Sequence, residues 1–163
     1  MLVTSTADFL WFVDQALDGM VAIVRQLGDD GANARPRRAG VTIAGANSPF
    51  VILTHCLGVM EYWGGSMIAG RPIERDRAAE FRAEGSVESL IERAAAARSR
   101  LAQDLATVEP EAAPRNPPHP NDAGLPYGTT QGGVLLHILE ELQQHLGQME
   151  VTRDVIIGSS GPA

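Results

Sequence analysis

The stretch LLHILEELQQHLGQMEVTRDVI, residues 135–156, sets two imidazoles and a carboxylate along one ridge of an amphipathic helix. His137, Glu141 and His145 recur at intervals of four, and Gln148 follows three residues later. An α-helix turns about 100° per residue. With His137 at zero, Gln148 falls near roughly 20°, Glu141 near 40° and His145 near 80°. Ile138, Met149, Leu142, Leu135 and Leu146 fill roughly 100–180°, the apolar arc. His145 therefore lies within that arc and Glu141 borders it, while His137 is expected further out, toward water.

Three more helical patterns precede this one, separated by Gly- and Pro-rich joints. The first runs from about Thr6 to Leu27, with Phe9, Phe12, Val13, Ala16, Leu17, Met20, Val24 and Leu27 at helical spacing. Ser48 and Pro49 suit the cap and first position of a second helix that continues to about Ile68 and closes near Gly70. The charged connection RPIERDRAAEFRAEG, residues 71–85, has room for a short helix. Ser86 caps a third helix over residues 87–108, and Thr129 or Thr130 caps the last, which ends before Gly158. The segments GDDGANARPRRAGVTIAGAN and EPEAAPRNPPHPNDAGLPYG read as loops, and Arg35–Arg38 as a solvated surface run. No stretch alternates with period two for long, so a substantial sheet is excluded. The expected fold is all-α: one four-helix-bundle domain over residues 1–163, a scaffold in which facing helices commonly build metal sites.

Composition narrows the function. The chain has 163 residues, 44% hydrophobic and 20% charged, with no apolar run near the ~20 residues a membrane helix needs. The N-terminus lacks the basic region of a signal peptide, so a cytoplasmic location is expected. A net charge of −7 argues against nucleic-acid and anionic-membrane partners, which call for a positive surface. The lone Cys56 excludes an internal disulfide and a cysteine-based zinc framework. Any metal must be held by His, Asp or Glu.

The same helical arithmetic on the second helix places His55 between Val51 and Tyr62 on one side and Val59, Ile52 and Trp63 on the other, so its face should be buried. A buried ionised Glu is costly unless paired, hydrogen-bonded or bound to a cation. Two inward imidazoles beside Glu141 offer either a network of His⁺–Glu⁻ pairs or a divalent metal on neutral nitrogens and a carboxylate oxygen. His137 and His145 stand about 12 Å apart along the axis, too far for both to reach one ion easily. The inward direction of His145 selects Glu141 and His145, with His55 as the third ligand from the facing helix. Gln148 is a candidate to orient a ligand or bound water. Three protein ligands leave a position open, as in catalytic zinc sites.

The segments SPFVILTHCLGVMEYWGG and LLHILEELQQHLGQMEVTRDVI resemble the DinB-like superfamily, and within it the mycothiol-dependent branch that includes the N-terminal domain of mycothiol-dependent maleylpyruvate isomerase. The resemblance implies an up-down-down-up bundle with a long crossover between its second and third helices. It implies a divalent metal, usually zinc, on the positions of His55, Glu141 and His145, with His137 outside the ligand set. It also implies thiol S-transferase chemistry: the metal holds a low-molecular-weight thiol, mycothiol in that branch, as a thiolate that attacks a small electrophile. The isomerase carries a further C-terminal domain and the chain stops at Ala163, so maleylpyruvate is not the expected substrate. A metal-dependent hydrolase using the open position for water, and a non-catalytic binding module, remain alternatives. Nickel, iron or manganese would also accept this ligand set, and a homodimer is compatible with such a bundle.

Other residues read more plainly. Cys56 points about 100° away from His55 and is expected to be a buried, inert thiol. His119 belongs to a loop, Tyr62 and Trp63 to the core, and Tyr127 to a pocket lip. Glu61 points outward.

Overall fold

A computed structural model describes residues 5–159. Helix α1 (Thr6–Asn33) starts at a capping box: the Ser5 hydroxyl accepts from the Asp8 amide at 3.0 Å, and the Asp8 carboxylate accepts from the Ser5 amide at 3.2 Å. Phe9, Val13, Ala16, Leu17, Met20 and Val24 form its buried stripe, as their spacing predicts, but Phe12 lies at the edge of that stripe and is exposed, edge-on to Trp11. The helix passes the expected end at Leu27 through a break at Gly28 (φ 64°), a backbone conformation that glycine adopts without strain. Part of the expected loop after it pairs as a two-residue hairpin, β1 (Arg37–Arg38) and β2 (Val41–Thr42). Ala39 and Gly40 both take positive φ there, the backbone of a tight hairpin turn.

Helix α2 (Pro49–Val59) begins where the sequence places it, with the Ser48 hydroxyl accepting from the Val51 amide at 3.3 Å. Ten of its eleven residues are buried, so it is the most enclosed element of the fold. It continues without interruption as a π-helix, Met60–Ile68, and turns off at Gly70 (φ 75°). Trp63 lies on this π segment and is buried. Gly64 and Gly65 make room on that segment for Leu101 and for the Arg71 guanidinium.

Residues 71–85 hold one helical turn, α3 (Arg77–Glu80), where the Asp76 carboxylate accepts from the Ala79 amide at 2.9 Å. Helix α4 (Val87–Asp104), capped by Ser86, ends in a 3-10 turn at Leu105–Thr107. The Pro-rich loop leads to α5 (Pro126–Thr129) and then α6 (Gln131–Ser159). Helix α6 continues through Gly158, past its expected end, since a glycine lowers helix propensity without breaking the hydrogen-bond ladder. Thr130 caps α6, its hydroxyl accepting from the Gly133 amide at 3.0 Å. α6 packs along α1 and α2, and α4 packs on α1 and the π segment. Leu17, Met20, Leu53, Met60, Leu90, Leu101, Ile138, Leu142 and Met149 interlock between them with almost no exposure. The architecture is helical apart from the hairpin. Among the described residues no helix is long and apolar enough to cross a membrane.

Candidate metal centre

His55 sits mid-way along α2, only 4% exposed, with its ring turned toward α6. Its Nε2 is 3.3 Å from Glu141 Oε2. His145, one turn further along α6, brings its own Nε2 to 3.3 Å from that same oxygen. The two imidazole centroids are 5.0 Å apart with planes at 88°. One donor atom from each of the three residues lies within 4.8 Å of the other two, the one such group of three among the described residues. The sequence picks the same three side chains. His137 stays outside the group, its Nε2 3.9 Å from the other Glu141 oxygen.

The outer faces of both imidazoles are engaged. His55 Nδ1 meets Glu80 Oε2 at 2.9 Å, and His145 Nδ1 meets Gln148 Oε1 at 2.8 Å. Each oxygen is an acceptor, so each ring places its Nδ1 hydrogen outward and keeps the Nε2 lone pair for the interior. Three acceptor atoms, two nitrogens and a carboxylate oxygen, then converge with no hydrogen between them. Either the imidazoles take up protons or a cation occupies the centre. The separations suit the second: two donors each about 2.1 Å from a tetrahedral ion stand about 3.4 Å apart. This His/Glu/His group could therefore bind a metal ion.

Without a metal the other alternative applies, and the imidazoles turn hydrogens toward Glu141. Hydrogen bonds from His145 and His55 hold the Glu141 carboxyl far below the usual range, overcoming burial, which opposes them. The contact with Glu141 raises the His145 pKa, against burial and with help from Gln148. Burial drives the Cys56 thiol far above its ordinary value, so this side chain is the inert core residue its position predicts.

Glu80 is the component sequence reasoning misses. Its carboxylate is gripped at both oxygens by Arg75, Nε to Oε1 at 2.7 Å and Nη2 to Oε2 at 2.9 Å. Burial pushes the Glu80 carboxyl up, but Arg75 and His55 outweigh it and hold the group ionised. The carboxylate lies directly over Gly58, where any Cβ would collide with it. Glu80 stands in a connection whose path sequence periodicity does not trace. The only signals were an N-capping Asp76 four residues earlier and a glycine one turn after His55.

A cavity of about 170 Å³ opens beside the group, lined by His55, Glu141, Trp63, Tyr127, His137 and Arg77 among others. His137 departs from expectation. It does not face water but stacks on Tyr127 (4.1 Å, 22°) with Trp63 edge-on at 4.7 Å. Trp63 from the π segment and Tyr127 from α5 build this aromatic wall on His137, and helical periodicity does not pair residues of different elements. Tyr127 lines the cavity as a lip residue should, and Trp63 serves both core and wall. His119 remains in an exposed turn away from the group, its Nδ1 accepting from the Asn121 amide at 3.2 Å. Glu61 points away, bonded to Arg71 at 2.7 Å.

A family model described as the DinB superfamily matches residues 13–149. The chain belongs to the DinB superfamily. No curated protein matches it. Among solved structures, the DinB chain is similar to the "conserved protein of locus from Enterococcus faecalis". The TM-score is 0.66 at 15% identity, over 96% of this chain and 99% of that one. At that identity the likeness speaks for the DinB fold alone.

Proposed function

We propose that this DinB protein is a divalent-metal-dependent thiol S-transferase of the mycothiol-dependent type, with zinc as its metal and a small electrophile as its second substrate. The observation that carries the reading is the convergence of His55 Nε2, Glu141 Oε2 and His145 Nε2, with both imidazoles fixed from behind by Glu80 and Gln148. An ion held by three protein ligands supplies a vacant position at which a thiol loses its proton and becomes a nucleophile at neutral pH.

The residues around that position have definable tasks. Glu141 supplies the negative charge of the ligand set. Glu80, held by Arg75, fixes the ring plane of His55 and raises the basicity of its Nε2. The aromatic wall of Trp63, Tyr127 and His137 excludes water from one side of the cavity and offers flat apolar surface to the acceptor. Burial of Cys56 leaves the chain without a reactive thiol of its own, so the sulfur nucleophile comes from a small molecule.

The test is thiol conjugation to a haloalkyl bimane with mycothiol, cysteine and glutathione in parallel, on zinc-loaded protein and on the His55→Ala and His145→Ala variants. The expected result is turnover with mycothiol that both variants lose. Equal turnover by the variants would sink the transferase reading, and ester hydrolysis without thiol consumption would replace it by the hydrolase.

A further inference from the structure

The cavity beside the metal centre carries one cation that pairs with no carboxylate among the described residues. Its lining includes two arginines, Arg75 and Arg77. Arg75 is paired: one edge of its guanidinium, Nε and Nη2, grips Glu80, and Nη2 also meets His55 Nδ1 at 3.2 Å. Arg77 forms no ion pair with any carboxylate among the described residues. Its guanidinium lies over the Phe81 ring at 5.9 Å, and Phe81 in turn stacks on His55 at 5.3 Å and 25°. This stack, Arg77 on Phe81 on His55, sets a charged fork at the cavity mouth.

The rest of the lining sharpens the reading. Opposite charge comes from Asp122 and from Glu141. Of these, Glu141 is committed to the imidazoles. Asp122 borders the cavity beside Tyr127 and disfavours a second negative charge on any occupant. The walls between are the rings of Trp63, Tyr127 and His137, which favour a planar molecule. The volume suits a small molecule only, below the range of drug-sized pockets.

We propose that Arg77 is a specificity-determining residue that reads a carboxylate on the electrophile, so that the cavity selects small, planar, singly anionic acceptors over their neutral analogues. The inference rests on the transferase reading for its chemistry, but the binding preference stands on the cavity alone. A guanidinium accepts a carboxylate in a two-pronged, charge-assisted contact, and an amide of the same shape cannot supply the charge.

A matched pair of probes tests it: 4-chloro-3-nitrobenzoate and 4-chloro-3-nitrobenzamide. In the reaction the thiolate sulfur bonds to the ring carbon, the carbon–chlorine bond breaks with chloride leaving with its electron pair, and the thiol proton goes to solvent. Affinities are measured by calorimetry without thiol, on zinc-loaded and metal-free protein, and turnover is measured separately with mycothiol. Wild type is expected to bind the benzoate about tenfold more tightly than the benzamide in both forms. Arg77→Gln should erase that preference, and Arg77→Lys should retain part of it. An unchanged preference in Arg77→Gln, or equal binding of the two probes by wild type, overturns the proposal. If the binding preference is present but neither probe is turned over, the transferase reading fails while the carboxylate site stands. If both are turned over with no dependence on Arg77, the reverse holds.

Discussion

Two arginine–carboxylate clusters flank the second helix, built from the same residue types to different ends. In the first, Arg71 joins Asp104 through two hydrogen bonds, at 3.0 and 2.7 Å, and Glu61 through one at 2.7 Å. Every strong donor of Arg71 finds an acceptor within the cluster, and the set ties the π segment to the end of α4. In the second, Arg75 grips Glu80, but Glu80 passes the interaction on to His55, whose other nitrogen faces Glu141 and His145. The first cluster closes on itself. The second ends in the converging donor atoms of His55, Glu141 and His145, a group that could hold a metal ion. The difference locates function: ion pairs that complete one another hold helices together, and those that leave a charge or lone pair directed inward prepare a binding point.

The sharpest way to break the comparison is to remove a ligand. His55→Ala should reduce zinc binding by well over a hundredfold, measured by metal analysis after dialysis against a competing chelator, because two remaining ligands rarely hold the ion. Arg71→Ala should leave zinc affinity unchanged yet cost about 3 kcal/mol in denaturant unfolding, since it strands the buried Asp104 carboxylate. A fall in zinc affinity in Arg71→Ala would erase the distinction between the clusters.

Glu80→Gln comes next in size. Loss of a carboxylate behind a ligating imidazole typically costs roughly 10- to 100-fold in metal affinity, and Glu80→Gln should fall in that range. Glu61→Gln, its counterpart in the closed cluster, should have no effect on the metal. Gly58→Ala should mimic Glu80→Gln more weakly, about tenfold, because the added methyl pushes the Glu80 carboxylate off His55. The smallest effect is expected for Gln148→Ala, about threefold, because Gln148 is exposed and water can replace its contact with His145 Nδ1.

Acidity sharpens the comparison further. In the metal-free protein the raised His145 pKa contributes stability that is present below the ordinary histidine value and is lost as pH rises through the folded value. The lowered Glu141 pKa contributes stability that is present above the ordinary carboxylate value of 4.5 and falls away in acid. Metal-free protein should therefore be most stable between those two limits, in mildly acidic solution. Zinc affinity should run the other way, rising with pH until His145 is neutral, because the ion displaces the proton. Melting curves with and without zinc from pH 5 to 8 check both slopes.

Much of the fold was readable from the sequence because its signals are local. The caps at Ser48, Ser86 and Thr130, the apolar stripe of α1 and the Pro-rich break before α5 all act within a few residues. The three site residues were readable for the same reason: His55 lies within an apolar face, and Glu141 and His145 share one ridge. His137 was misplaced because the wheel gives a direction but not a neighbour. The partners that enclose it, Tyr127 and Trp63, come from other elements.

The sequence by itself determined that the chain is helical, where its long helices begin, and that His55, Glu141 and His145 lie on or beside apolar faces, because hydrophobic period and capping chemistry are properties of neighbouring residues. Only the tertiary structure decided that Glu80 and Arg75 stand behind His55, that Gly58 leaves them the space, and that Arg77 borders the cavity. Those contacts join residues whose separation along the chain carries no periodic trace. They exist because the connection between α2 and α4 folds back over α2, a path fixed by burial and charge pairing and not by any local preference.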